Sequence, residues 1–340
     1  MTHQPHLPVE LILQIVEASL SIANPHAIVD VSLPEVQLLV AWSQVCRATY
    51  GTAVRLLRQH CVYLDSHERI QKFWNCLSFA KTSTPSTNLP PITPLEDTSS
   101  LYLGVCTPNP QESASLGSLI RQVLFELGGS VRRLILELPA PRFAQENELD
   151  PHLGQGLFDG LAALSNVEEF VTVGGLRTVD FWTNDLGIWE RWPKLRSLAG
   201  FQVDLAEEDL WHRVARAKHL EHMVIARPRL YRIQRWNFKE AIGQHWRFET
   251  GGDPKLARPI SIVLADHEFT PSLIDETDAI THDPQGLVSA VKFSVPMSGK
   301  QFVRTDHACR EWMMAAMKEG NLWDYGKADT FASRKTWWQP

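Results

Sequence analysis

Asp266-His267-Glu268 and Asp306-His307 set carboxylates beside imidazoles, the pairing a proton relay needs, because a carboxylate can orient a neighbouring ring. Residues adjacent along a strand point to opposite faces, so neither pair has to meet. His212, His219 and His222 offer nitrogens to a metal, but no single face presents three of them. No nearby carboxylate or cysteine completes a tetrahedral set. Gly154-Gln-Gly156-Leu-Phe-Asp-Gly160 reads G-x-G-x-x-x-G, one residue longer than a dinucleotide fingerprint and remote from the preceding strand, so helix-start glycines are expected. G-x-S-x-G, H-E-x-x-H and P-loop motifs are absent from the sequence. Cys46, Cys61, Cys76, Cys106 and Cys309 form no C-x-x-C pair, which fits a reduced, intracellular compartment, cytoplasmic or nuclear. No catalytic residue, metal or cofactor is expected from these patterns.

Charge points the same way. Seven Lys or Arg lie between Arg213 and Arg235, Arg227 and Arg229 among them, against the single acid Glu221. That stripe could attract an acidic substrate, a phosphate or RNA, but Glu207-Glu208-Asp209 just before it supplies opposite charge at a helix start and favours a solvated flank. The net charge of -6 over 340 residues argues against a dedicated nucleic-acid binder. No run of eighteen apolar residues occurs, so no membrane span is expected, and the N-terminus lacks the pattern of a secretory leader.

The elements that must hold any site fall into three parts. Residues 7–80 read as helical: Leu11, Ile12, Ile15 and Val16 recur at helical spacing, and Leu38, Trp42 and Val45 form a second stripe. Ten of the thirteen residues from Thr82 to Pro94 are Ser, Thr or Pro, which marks residues 81–100 as a linker or loop. From Leu101 onward β-prone runs alternate with helical patterns, the signature of parallel strands joined by crossovers. Val131-x-x-Leu134, Val167-x-x-Phe170, Leu195-x-x-Leu198 and Leu220-x-x-Met223 start four of the runs alike, at intervals of 36, 28 and 25 residues. That is close to a leucine-rich repeat but irregular, so two folds fit: an irregular leucine-rich α/β solenoid over residues 101–340, or a doubly wound sheet. The helical pattern from Asp306 to Met317 would cap the last repeat.

Leu7-Pro8-Val9-Glu10-Leu11-Ile12 with its following apolar helix, and Val45-Cys46-Arg47 before Tyr50, resemble the two halves of an F-box. The segments Leu57 to Leu64 and Phe73 to Leu77 are similar to the stretch after the F-box in many fungal F-box proteins. The resemblance covers residues 7–80 and implies an F-box-like helical module followed by leucine-rich repeats. It implies a non-catalytic substrate receptor of a cullin-RING ubiquitin ligase (an SCF complex), docking a Skp-type adaptor through Leu7, Pro8, Leu11, Ile12, Ile15 and Val45. An unknown protein substrate would then bind the strand-lined face of the solenoid, with Trp182, Trp189, Trp192, Arg227 and Arg229 as anchors. The competing expectation is an enzyme or accessory factor of specialised metabolism that keeps the fold without the ligase role.

Overall fold

The β-prone runs show little alternation of apolar and polar residues, and the structure gives the reason: the sheet they form is covered on both faces. The computed structural model describes residues 7–20, 27–82, 98–104, 110–137, 151–173, 188–205, 207–229, 238–248, 257–267, 286–296 and 304–325. Eight strands form one sheet: Tyr63–Leu64 (β1), Ser100–Gly104 (β2), Arg133–Glu137 (β3), Glu169–Val173 (β4), Ser197–Phe201 (β5), His222–Ala226 (β6), Ile260–Asp266 (β7) and Val288–Ser294 (β8). All neighbours are parallel, and the spatial order is the chain order from β1 to β8.

Helices His67–Thr82 (α4), Pro110–Glu126 (α5), Pro151–Ala163 (α6), Glu208–Arg216 (α7) and Phe238–Phe248 (α8) connect successive strands and share one core on the first face. Leu101, Leu134, Phe170, Leu198, Met223 and Ile262 stand in register as one row of that core, one residue per strand. The residues three places earlier, Val131, Val167, Leu195 and Leu220, are buried with them, so the shared start of the four runs is a packing repeat. A backbone ladder precedes the strands. The carbonyls of Ser99, Arg132, Glu168 and Arg196 each accept two consecutive N–H groups from the next repeat. Neither the order reversal of a doubly wound sheet nor a crossover helix on the second face occurs among the described residues.

The second face carries the row Tyr63, Tyr102, Ile135, Val171, Ala199, Val224 and Val263. It is covered by the helix Thr305–Lys318 (α9), the 3-10 turn Leu322–Asp324 and Ile28. Expected as an end cap, α9 instead lies on a face, because its buried stripe of Cys309, Met313 and Ala316 meets the apolar row that strand alternation presents there.

Val9–Ser19 (α1), Pro34–Val45 (α2) and Arg47–His60 (α3) enclose a separate small core of Val16, Val36, Leu39, Ala53 and Leu56. The sheet begins sooner than the composition suggests. Val62, Leu64 and Ile70 belong to the large core, so β1 and α4 pack with the repeats although their sequence lies within residues 1–80. Among the described residues, no helix is long and apolar enough to cross a membrane.

Candidate functional site

Helix α1 is preceded by Pro8 at its N-cap, whose carbonyl accepts the Ile12 N–H at 3.2 Å, and Glu10 in the first turn faces the positive end of the helix dipole. Pro34 is the first residue of α2, where its missing N–H costs no helical bond. Polar contacts hold the helices together, among them Arg55 Nη2 of α3 donating to Glu17 Oε1 of α1 at 3.0 Å. Trp42 Nε1 donates to Ser19 Oγ at 3.2 Å, tying α2 to α1, and Thr49 Oγ1 donates to the Trp42 carbonyl at 2.7 Å, tying α3 to α2. Cys46 is the extended hinge between α2 and α3, where its side chain and Thr49 form a capping box. Hydrogen bonds from Thr49 hold the exposed Cys46 thiol below its ordinary pKa. Burial pushes Cys61 up to about 12, so that thiol stays protonated.

With Val16, Val36 and Leu39 turned into the small core and Trp42 packed against it, several other apolar side chains of α1 and α2 are left outside. Leu7 (59% exposed), Leu11 (44%), Ile15 (45%) and Val45 (63%) face solvent, and Pro8 is exposed too. Ile12 is half-buried. Val9, Leu33, Leu38 and Val40 extend the set, which comprises eight of the ten exposed large apolar side chains among the described residues. The sequence pattern had grouped Leu38, Trp42 and Val45 on one stripe. The structure divides them, with Trp42 packed against the small core and Leu38 and Val45 outside. The missed residues Val9 and Val40 carried no readable signal: Val9 precedes the buried Val16 by seven residues and Val40 follows the buried Val36 by four, spacings that place both on the buried side of their helices, so only the structure shows them exposed. Such a concentration of exposed apolar surface is what a protein-docking face presents.

Of the residues expected to anchor a substrate, Trp192 is ruled out by its burial, and Arg227 and Arg229 lie on one rim. Trp192 is core: its ring meets Phe170 edge-on at 4.8 Å and its Nε1 donates to the Leu161 carbonyl at 3.1 Å. It belongs to the large core at 2% exposure and cannot serve as a surface anchor. Trp182 and the side chain of Trp189 lie outside the described residues. Arg227 and Arg229 do share a rim at the carboxyl ends of β5 to β7. Arg227 Nη1 donates to both carboxylate oxygens of the buried Asp266 at 2.9 Å, and Arg229 Nη2 donates to Gln202 Oε1 at 3.2 Å. Gln202 and Arg227, each the first residue after its strand, adopt φ of 57° and 52° and donate their N–H to Ala226 and Ala265 in the next strand. The left-handed backbone is thus a repeat feature, fixed by a bond to the neighbouring strand.

The acid–imidazole pairs resolve into structural contacts. Asp266 Oδ1 accepts the His267 backbone N–H at 2.7 Å, while the ring nitrogen Nδ1 of His267 lies 3.2 Å from the Val295 carbonyl. Arg304 binds Asp306, and His307 lies beside Glu311. Cys309 stays protonated, its pKa pushed up to about 11 by burial and then by the Asp266 charge. His212, His219 and His222 fall on α7, the following turn and the start of β6, and no metal-binding group of three side chains occurs among the described residues. Gly156 and Gly160 serve packing within α6: a Cβ on Gly160 would lie 2.7 Å from Leu124 Cδ1, and one on Gly156 would overlap the Gly117 carbonyl of α5.

No protein-family model matches the chain, and no curated protein or solved structure matches it.

Proposed function

We propose that the chain is an F-box-type substrate receptor of a cullin-RING ubiquitin ligase, gripping a Skp-type adaptor with α1 and α2. The observation that carries the reading is the exposure of Leu11, Ile15 and Val45 on helices whose inner sides are already sealed by Val16, Val36 and Leu39. Burying a fully exposed side chain of this kind is worth about 1.5–3 kcal/mol, and these half-exposed ones would each add about half of that to docking.

The strand order, with every crossover helix on one face, supports reading the sheet as an irregular leucine-rich-repeat-like solenoid. In this reading the receptor performs no bond chemistry and acts in the cytoplasm or nucleus by holding a substrate near the charged conjugating enzyme. Arg227 and Arg229 stay as candidate substrate contacts on the carboxyl rim of the strands.

The test is co-purification of the full chain with a Skp-type adaptor. A stable complex that is lost in Leu11→Asp/Ile15→Asp, with the melting temperature kept, is the expected result. A full chain that folds and yet captures no adaptor refutes the reading.

A further inference from the structure

The cationic stretch between Arg213 and Arg235 is split by the fold. Arg227 and Arg229 go to the carboxyl ends of the strands, whereas Arg213, Arg216 and Lys218 go to the amino ends, where α7 finishes before β6. The acids Glu207-Glu208-Asp209 stand at the start of α7, about 12 Å away along the helix and too far to neutralise them. The preceding turn of the repeat adds cations that the stripe did not include. Arg191 ends the 3-10 turn Ile188–Arg191 before β5 just as Arg216 ends α7 before β6. The Leu195 N–H donates to the Trp192 carbonyl at 3.1 Å, and the Leu220 N–H to the Ala217 carbonyl at 3.2 Å, so the two turns close alike. Arg191 with Arg216, and Lys194 with His219, therefore hold equivalent places on neighbouring turns, with Lys218 beside them. Ala163 and Asn166 hold those places one turn earlier, so the cations begin at β5.

Arg191, Lys194, Arg196, Arg216 and Lys218 are all exposed. Lys194, Arg196 and Lys218 have no ion-pair partner among the described residues. The Arg191 guanidinium lies 5.7 Å from the centroid of the Phe158 ring, which holds it without neutralising it. The dipole at the end of α7 does not require these cations, since Arg258 already donates to the Val214 and Ala215 carbonyls. Two acids stand among them. The residues one place before β3 to β6 are Arg132, Glu168, Arg196 and Glu221, alternating in sign along the rim, with Arg132 Nη1 3.9 Å from Glu168 Oε1.

We propose that the amino rim of β5 and β6 is a docking surface for an acidic segment of a partner protein. Five exposed cations over two neighbouring turns, on a chain of net charge -6, make a local field of the sign that attracts carboxylates. Glu168 and Glu221 favour a peptide over a nucleic acid. A phosphate backbone carries its charge at even spacing and must meet them, whereas a peptide can set its acids opposite the cations alone. The surface lies at the other end of the strands from Arg227 and Arg229 and uses no residue of α1 to α3, so the inference stands whether or not an adaptor binds there.

The test is fluorescence anisotropy of a labelled peptide of alternating Glu and Ser, titrated with the full chain. The wild type is expected to bind it with an affinity that falls as salt is raised. Lys194→Glu/Lys218→Glu is expected to lose at least about tenfold in affinity, and Lys194→Gln/Lys218→Gln to lose less. Both should keep the wild-type melting temperature, because the side chains are exposed. Lys72→Glu/Arg121→Glu makes the same change of net charge on α4 and α5, and its affinity is expected to stay within about twofold of wild type. The proposal is overturned if the wild-type chain does not bind the peptide, or if the control pair loses as much as the rim pair. It is overturned equally if a labelled single-stranded RNA binds more tightly than the peptide and loses that affinity in the rim variant.

Discussion

Lys318 Nζ lies 3.2 Å from Asp30 Oδ2, joining the end of α9 to the connection between α1 and α2. The backbone repeats the link, since the Ile28 N–H donates to the Lys318 carbonyl at 3.1 Å. The Lys318 ammonium also sits 5.2 Å from the centroid of the Tyr63 ring, itself stacked on Tyr102 at 3.8 Å. Segments far apart in sequence are therefore held at one place on the sheet.

That contact sets an acid limit. Burial alone would raise the Asp30 pKa, but hydrogen bonds from Ser32 and Lys318 outweigh it and hold the carboxyl below its ordinary value. A carboxylate with a lowered folded-state pKa stabilises the fold above its unfolded value of about 3.9, and the contribution disappears as the pH falls through the folded value. Asp30→Asn should lower stability by about 1 kcal/mol at pH 7 and by progressively less below pH 4. Urea unfolding of both proteins at a series of pH values measures it, and a difference that stays constant down to pH 2 contradicts the assignment.

Helices α5 and α6 touch backbone to backbone at Gly117 and Gly156. Alanine is the better helix former by about 1 kcal/mol, so propensity alone predicts that Gly156→Ala stabilises. The added methyl would overlap the Gly117 backbone, which belongs to a helix packed into the core through Leu116, Ile120 and Leu124. Overpacking of that kind costs about 3 kcal/mol and decides the sign. Gly129→Ala is the control, because a Cβ there meets nothing within 4 Å. Equal melting temperatures for the two variants would show that the helices can separate freely.

Ile15 and Val16 are adjacent on α1 but 45% and 0% exposed. Val16→Ala should cost about 2 kcal/mol through the cavity it leaves, whereas Ile15→Ala should stay within about 0.5 kcal/mol. Denaturant midpoints distinguish them. A large loss at Ile15 would mean that the outer side of α1 is packed after all, and the adaptor reading would lose its basis.

Much of the sheet was legible because parallel strands covered on both faces read as unbroken apolar runs, and each run named from the sequence from Leu101 onward overlaps a strand. The L-x-x-L starts were readable for the same reason: Val131 with Leu134 and Leu220 with Met223 occupy equivalent buried places. The seat of α9 was not legible. A stripe such as Cys309, Met313 and Ala316 states that a helix buries one side and leaves open which surface it meets. Trp192 shows the same limit, since a large ring beside an irregular repeat reads equally as filler or anchor until its indole N–H is seen bonded to Leu161.

Arg258 has a role that depends wholly on contacts distant in sequence. Its guanidinium donates to the carbonyls of Val214 at 2.8 Å, Ala215 at 3.3 Å and Leu220 at 2.8 Å. The first two belong to the last turn of α7, where carbonyls lack helical partners and the dipole is negative, so a cation there both caps and neutralises. Burial lowers its pKa to about 10, opposed by the Glu221 charge, and the group stays cationic at neutral pH. Arg258→Met keeps the stem but strips the Val214 and Leu220 carbonyls of this donor, while Trp246 Nε1 still donates to the Ala215 carbonyl at 3.2 Å, an expected loss of about 2 kcal/mol. Lysine should recover less than half of that, because a point ammonium cannot span carbonyls that the planar fork reaches together. Far-UV circular dichroism during thermal unfolding gives the comparison, and full rescue by lysine would show that charge alone, without the fork geometry, holds the end of α7.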